Sequence, residues 1–391
     1  MRILFLATRF PVPPWRGDQV RAYHHLRLLA PRHAITCCAL VLRPPPARAR
    51  AEIEAMGVRV EIVPLGWVGS LPALAGGLLG DDRPFQVLLY LRRRARASLD
   101  RLLAAGHFDL VHMQLARAAA YLPPGASPVV IDLIDALSEN LARRAERERT
   151  LLAAILTWEA RRVRRLEGTL VARAPCLVVS AGERAALGNR DTIRVVPNGV
   201  DTQAFAYRED ARPRARLVLA GNLGYFPNVD AAIWLARDIF PRVRAAVPEA
   251  ELRLVGARPT RGVRALARVP GVSLGTAVPD MAPELAAATV AIVPLRAGSG
   301  VQNKVLEAMA VGTPVVATPR AAAGLDVRAG EHLLVAEDAA GLAAAAGMLL
   351  RDPARARTLA RAARTLVEER YRWEDSAAAV EQAWRGALPA P

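Results

Sequence analysis

Short, unbroken apolar runs recur along the chain, each separated from the next by a stretch of helical character, and this alternation limits the fold more than any other feature. In the first half, Arg2–Ala7, Ala34–Leu40, Arg59–Val63, Leu110–His112, Val129–Leu133 and Leu177–Ser180 read as short strands. Helices are expected at Gln19–Leu29, near Ala51–Met56, and over the long Arg/Ala/Leu tracts Phe85–Ala104 and Ser138–Ala172. Strands that are apolar on both faces and separated by helices belong to a parallel sheet covered on its two sides.

The polar, turn-rich segment Asn198–Arg216 interrupts the pattern as a linker does. Alternation then restarts with strands at Leu217–Gly221, Glu251–Val255, Val272–Leu274, Val290–Pro294, Val315–Ala317 and Leu333–Val335. Helices are expected at Val229–Val247, Gly262–Arg268, Met281–Ala287, Val301–Ala310, Ala339–Leu350 and Pro353–Glu369. With 391 residues, the chain has room for two such domains. The expected organisation is an N-terminal Rossmann-like domain over 1–197, a linker over 198–216 and a second domain over 217–370. A C-terminal helix over 371–391 is free to return to the first domain. Open α/β sheets bind ligands beyond the C-terminal ends of their strands, where the strand order reverses. Two doubly wound sheets facing across a cleft would therefore suit transfer between two bound substrates.

A formal net charge of +16 raises the question of a polyanionic partner. The positive charge is almost wholly arginine, and Lys304 is the only lysine, as a coding bias toward Ala and Arg would produce. No helix-turn-helix, finger or aromatic RNA-binding motif accompanies it, so nucleic acid is not expected as a partner. Cys37, Cys38 and Cys176 supply neither a disulfide framework nor metal-ligand spacing. They fit a reducing compartment, and a cytoplasmic protein is expected. The apolar stretch Ile62–Gly80 is broken by Pro64, Pro72 and glycines and reads as loop and short helix.

The richest segment is PLRAGSGVQNKVLEAMAVGTPVVAT, Pro294–Thr318, which reads strand, glycine loop, helix, turn, strand. Gly298, Ser299 and Gly300 are expected to lead directly into a helix at Val301, presenting unpaired backbone N–H groups to an anion. Glycine allows a diphosphate to approach closely. Arg296 and Lys304 add positive charge, the first as a planar fork and the second as a point charge. Glu307, one helical turn past Lys304, can accept hydrogen bonds from ribose hydroxyls.

This string resembles the C-terminal signature of GT-B glycosyltransferases of family 4, with its Leu-Glu-Ala-Met-Ala helix and following Gly-x-Pro-Val-Val-Ala turn. VVPNGVD (Val195–Asp201) is similar to the inter-domain segment of that family. LAGNLGYFPNVDAAIWL (Leu219–Leu235), which contains Gly221 and Asn222, resembles the opening of the donor domain in an exopolysaccharide-associated subgroup. The resemblance implies a GT-B fold and transfer of a sugar from a nucleotide-sugar donor to a saccharide or lipid-linked acceptor. It further implies retention of configuration, no metal and no cofactor. Gly221 and Asn222 join Gly298, Ser299, Gly300, Val301 and Glu307 as donor-binding candidates. The sequence also departs from the family. Ser299 replaces an acidic residue, Asn222 and Asn228 stand where many relatives carry Arg and Lys, and Gln114 replaces a histidine. A GT-B nucleotide-sugar epimerase and a degenerate nucleotide-sugar binding protein are the alternative readings.

In the N-terminal half, Gly17 lies in the loop PVPPWRGDQVR after the first strand and is a candidate for close backbone approach to a ligand. Asp132 and Asp135, at the end of the strand in IDLIDALSEN, are candidates to orient or deprotonate an acceptor hydroxyl. The competing role is helix capping by Asp135 or Ser138. The histidines show no triad or metal pattern and are expected to be structural. Arg92, Arg93, Arg94 and Arg96 follow the apolar run QVLLYL, a composition suited either to docking on an anionic membrane or to a solvated helix.

Overall fold

The computed structural model describes residues 1–66, 81–122, 128–146, 148, 150–209, 215–276, 278–298 and 300–389. The chain forms two compact units, Met1–Pro197 with Ser376–Pro391, and Asn198–Asp375. Beyond position 66, the expected loop and short helix of Ile62–Gly80 lie outside the described residues, as does Ser299.

The first unit is built on strands β1 (Arg2–Ala7), β2 (Ala34–Val41), β3 (Arg59–Pro64), β4 (Leu110–Gln114), β5 (Val129–Ile134), β6 (Cys176–Val178) and β7 (Ile193–Val195). They form one parallel sheet in the order β3-β2-β1-β4-β5-β6-β7. Alternation along β1 shows why these runs are apolar throughout. Ile3, Phe5 and Ala7 enter one core, while Leu4 and Leu6 enter the core on the other face. The first helix, α1 (Gly17–Leu29), follows β1, and α2 (Ala47–Glu54) follows β2.

The expected helix Phe85–Ala104 is divided into α3 (Phe85–Leu88) and α4 (Arg93–Gly106). Arg92 between them is extended, and its N–H donates to the Tyr121 hydroxyl at 3.0 Å, a tertiary bond that a continuous helix would forgo. The tract Ser138–Ala172 is likewise divided, into α5 (Leu137–Ala145) and α6 (Leu151–Arg173), the latter capped by the Thr150 hydroxyl. The short α7 (Ala181–Ala186) precedes β7.

The second unit contains a parallel sheet in the order β10-β9-β8-β11-β12-β13, from β8 (Arg216–Ala220), β9 (Glu251–Val255), β10 (Val272–Gly275), β11 (Val290–Val293), β12 (Val315–Ala317) and β13 (Leu334–Val335). In both sheets the order reverses once, between β1 and β4 and between β8 and β11, which is the doubly wound pattern expected from the alternation. The helix expected at Val229–Val247 starts earlier, as α8 (Phe226–Trp234), with Pro227 in its first turn. It passes through a π turn at Leu235–Ile239 into α9 (Phe240–Ala246), the wide turn accommodating Pro241, which has no N–H. Helices α10 (Arg261–Ala265), α11 (Ala282–Ala286), α12 (Asn303–Ala310), α13 (Pro319–Ala322), α14 (Ala339–Arg351) and α15 (Pro353–Arg370) complete the unit. Asp338 and Asp352 cap α14 and α15 through the N–H groups of Gly341 and Arg355.

The last helix, α16 (Trp373–Ala387), starts in the second unit and ends in the first. Its Ala377, Val380, Ala383 and Trp384 share a core with Ile3, Phe5 and Leu26. Among the described residues, no helix is long and apolar enough to cross a membrane.

Candidate functional site

The switch point of the second sheet brings together the loops after β8, β9 and β11. Gly221 ends β8 at a φ of 143°, and Gly256 ends β9 at 152°. A Cβ on Gly256 would stand 1.6 Å from the Gly221 carbonyl oxygen, so the two backbones leave no room for a side chain there. A Cβ on Gly221 would lie 3.0 Å from the Asn228 amide nitrogen and 3.1 Å from the Lys304 Cε. Glycine at 221 therefore makes space for the lysine arm.

Lys304 Nζ donates to Asn228 Oδ1 at 2.8 Å and to Gln302 Oε1 at 3.2 Å. Asn228 is buried, and its Nδ2 donates to the Asn222 carbonyl at 3.0 Å, while Asn222 Oδ1 accepts from Gly224 N–H at 3.0 Å. The sole lysine is thus held by neutral amides. Loss of water pushes its pKa down to about 8, against the opposing pull of Glu307. Glu307, one turn on, is pushed up to about 7, again by loss of water first and eased by Lys304. A desolvated cation beside a glycine floor at a switch point is a receptor for a compact anion.

Other candidates fall differently. Helix α12 starts at Asn303 instead of Val301; Val301 packs on the apolar core, so Gly298 and Gly300 do not lead directly into the helix. Both glycines have positive φ, 108° and 67°. A Cβ on Gly324 would come within 2.5 Å of the Gly300 carbonyl oxygen, which fixes that loop against its neighbour. Arg296, expected to add positive charge as a planar fork, is paired with a carboxylate. Its guanidinium pairs bidentately with Asp230, at 3.0 and 2.5 Å, and lies 4.8 Å from the centre of the Trp234 ring. Of the two expected cations, Lys304 carries the open charge. Asn228, Gln302, Gly256 and Asp230 were missing from the expected site. The signal for the first was its persistence as one of six asparagines in an asparagine-poor chain, and for Gly256 its place at the end of an apolar strand.

In the first unit, Asp132 is drawn away from solvent. It is fully buried and pairs with Arg21, Nε to Oδ2 at 2.6 Å, while Arg21 Nη1 donates to the Val196 carbonyl at 2.9 Å. His112 Nε2 lies 3.9 Å from the same carboxylate, and its Nδ1 accepts from Trp384 Nε1 at 3.0 Å. Burial lowers the His112 pKa to about 4, so the ring is neutral. These contacts make Asp132 a core anchor and correct its candidacy as an acceptor-facing base.

Asp135 is half-buried at the end of β5, and its Oδ2 accepts from Asn140 Nδ2 at 3.0 Å. The N-cap position of α5 is Ala136, whose side chain makes no capping bond. Glu183 accepts from Ala136 N–H at 2.7 Å and Glu167 from Ser138 N–H at 3.2 Å, so two distant carboxylates serve that helix start. Just before Asp135, Ile134 has a φ of 69°, a strained conformation for a β-branched residue, at an irregularity in the β5–β6 pairing.

Gly17 is exposed at the start of α1, and a Cβ there would meet open space, so nothing within the unit requires glycine at that position. Gln114 donates to the Asp18 carbonyl at 2.9 Å and ties the first turn of α1 to β4. Arg92 and Arg96 bond main-chain carbonyls of Leu65, Leu91, Ala120 and Leu122, which corrects the idea that the whole run Arg92–Arg96 faces a membrane. Only Arg93 and Arg94 of that group are exposed.

Comparison with known proteins adds to this geometry. Residues 214–352 match the family model described as Glycosyl transferases group 1. The D-inositol 3-phosphate glycosyltransferase of Acidothermus cellulolyticus is 34% identical over 226 residues, which span 51% of this chain and 49% of that protein. The chain thus matches about half the length of that curated relative. The sucrose-phosphate synthase of Thermosynechococcus elongatus superposes with a TM-score of 0.72 at 17% identity, covering 99% of both chains. Anabaena HepE, solved in complex with UDP and glucose, gives 0.69 at 16% identity over 99% of this chain and 100% of its own. At such identities the two structures speak to fold alone. Residues 214–352 are thus similar to a glycosyl transferases group 1 domain, and the two doubly wound sheets have the GT-B fold.

Proposed function

We propose that this protein is a glycosyltransferase of family 4 that moves a sugar from a nucleotide-sugar donor to an acceptor hydroxyl during polysaccharide or glycolipid assembly, with retention of configuration. The observation that carries the proposal is Lys304, a partly desolvated cation set against Gly221 at the β8/β11 switch point. Transfer breaks the bond between the anomeric carbon and the diphosphate oxygen, and negative charge grows on that oxygen as it leaves. A fixed cation in a water-poor site favours that charge at the moment it forms. Glu307 as a carboxylate accepts hydrogen bonds from the ribose, and Gly298, Gly300 and the first N–H groups of α12 supply further donors. Retention and the family 4 assignment rest on the sequence resemblance, as does the exopolysaccharide setting. In the first unit Asp135 orients the acceptor hydroxyl. No cofactor is invoked, because the donor brings its own leaving group.

The experiment is donor turnover with and without a panel of acceptors, preceded by calorimetry with uridine diphosphate, the nucleotide bound in the HepE complex. Lys304→Ala should lower kcat/KM by about 100-fold, the scale of one lost transition-state contact. Undiminished turnover in that variant would move the active site elsewhere. Epimerisation of donor alone would replace the transferase by an isomerase.

A further inference from the structure

Large apolar side chains lying side by side in water mark a surface that meets something else. The first two turns of α6 present such a row: Leu151 is 86% exposed, Ile155 53% and Trp158 39%. Their spacing of four and three residues puts them on one stripe. The helix has a separate anchoring face of Leu156, Glu159, Ala160 and Val163, all buried, so the stripe is not its core side. Trp158 is propped at the surface by Phe85, at 5.2 Å between ring centres, and by the Arg162 guanidinium at 3.8 Å. One to two turns further the same exposed side becomes basic, with Arg161, Arg164 and Arg165. Arg161 and Arg164, together with Thr157 and Glu146, line a shallow groove between α5 and α6. Arg164 pairs with Glu139, and Arg165 lies 3.7 Å from Asp82; both are exposed pairs that water screens and another anion can replace.

We propose that this face of α6 docks the protein on an anionic lipid surface. Leucine, isoleucine and tryptophan would enter the boundary between headgroups and acyl chains, with the arginines at headgroup level. Charge decides between lipid and a second copy of the chain. A second copy on the stripe would bring another molecule of formal charge +16 against this basic face, a like-charge approach. A negatively charged surface satisfies both the apolar and the basic parts of the face. The proposal stands on the first unit and does not depend on the Lys304 site.

The test is co-sedimentation of the full chain with phosphatidylcholine vesicles and with vesicles doped with phosphatidylglycerol. Wild type should partition onto the doped vesicles only. Leu151→Gln with Ile155→Gln should weaken that partition by about tenfold, from the apolar area no longer buried. Arg161→Gln with Arg165→Gln should weaken it by about fivefold per charge, an effect that added salt erases. Because these side chains are exposed, thermal melts of the variants should match wild type. Three results would overturn the proposal: no partition by wild type, equal partition by the Leu151/Ile155 variant, or a dimer in sedimentation velocity that this variant dissolves.

Discussion

At the residue scale, the chemistry concentrates on Lys304 and the neutral groups that hold it. Lys304 titrates at about 8 and Glu307 at about 7, both shifted toward neutrality by loss of water. The two lie on one turn, so the titration steps belong to the pair. An anionic nucleotide favours the charged lysine, and binding above pH 8 must therefore take up a proton. Nucleotide affinity should fall by about tenfold per pH unit above that point. It should weaken again below pH 7 as Glu307 is protonated and stops accepting from the ribose. Calorimetry of uridine diphosphate binding across this range, in buffers of different ionisation enthalpy, reads both the limbs and the proton uptake. Asn228 acts through Lys304. Asn228→Asp puts a carboxylate 2.8 Å from the ammonium, so the alkaline limb should move up while affinity falls, because the new charge repels the diphosphate. A loss of affinity with no movement of the limb would leave Asn228 a merely structural residue. Gly256→Ala forces a Cβ toward the Gly221 carbonyl at a backbone angle that L-residues avoid. It should cost on the order of 3 kcal/mol, read by urea denaturation.

At the scale of elements, the strands were legible because a run buried on both faces leaves a continuous apolar signature, as at Ile3–Ala7 and Val290–Val293. The break after α3 was not, because the Tyr121 hydroxyl that takes the Arg92 N–H lies far away in sequence. Partners at the helix starts are equally remote: Glu159 accepts from the N–H groups of Phe85 and Gln86, and Glu167 from Ser138, which local spacing does not reveal. The start of α12 was misplaced by two residues for a similar reason, since Val301 is drawn onto the core. The same distant carboxylates have an energetic signature. Burial raises the pKa of Glu167 to about 7, against the pull of its bonds from Ser138. Its folded value exceeds that of the unfolded chain, so the folded state binds the extra proton between about 4.5 and 7. Stability from this group is full in mild acid and is lost as pH rises through 7. Glu167→Gln keeps an acceptor and removes the charge. It should stabilise the protein by on the order of 2 kcal/mol above pH 7 and change little below pH 5, in thermal melts at the two pH values. Equal effects at both would mean that the carboxyl is not buried in its charged form.

For the whole molecule, the doubly wound pattern of each unit could be read from the alternation, because two parallel sheets leave the same mark twice. Arg21 could not be read as the partner of Asp132, since nothing local sets one arginine of α1 apart from its neighbours. The sequence allowed for a return of the last helix to the first unit, but the residues it meets were hidden, because amphipathic spacing tells that a helix packs without telling what receives it. The structure puts Trp384 in the core of the first unit, fully buried, with its indole N–H on His112 Nδ1. That bond needs the neutral ring, with its proton on Nε2 toward Asp132. The His112 pKa of about 4 lies below the ordinary 6.5, so between those values the unfolded chain binds a proton that the folded one refuses. Stability should therefore fall as pH drops from 6.5 toward 4. Trp384→Phe keeps an aromatic ring and removes the donor, which leaves Nδ1 free to carry a proton. It should flatten the acid loss while costing about 1–2 kcal/mol at neutral pH for the bond. Trp384→Ala should cost about 3–5 kcal/mol at every pH for the cavity. Urea titrations of the two variants against pH separate the terms, and a wild-type acid slope that survives Trp384→Phe would detach His112 from the closing of the first unit by the end of the chain.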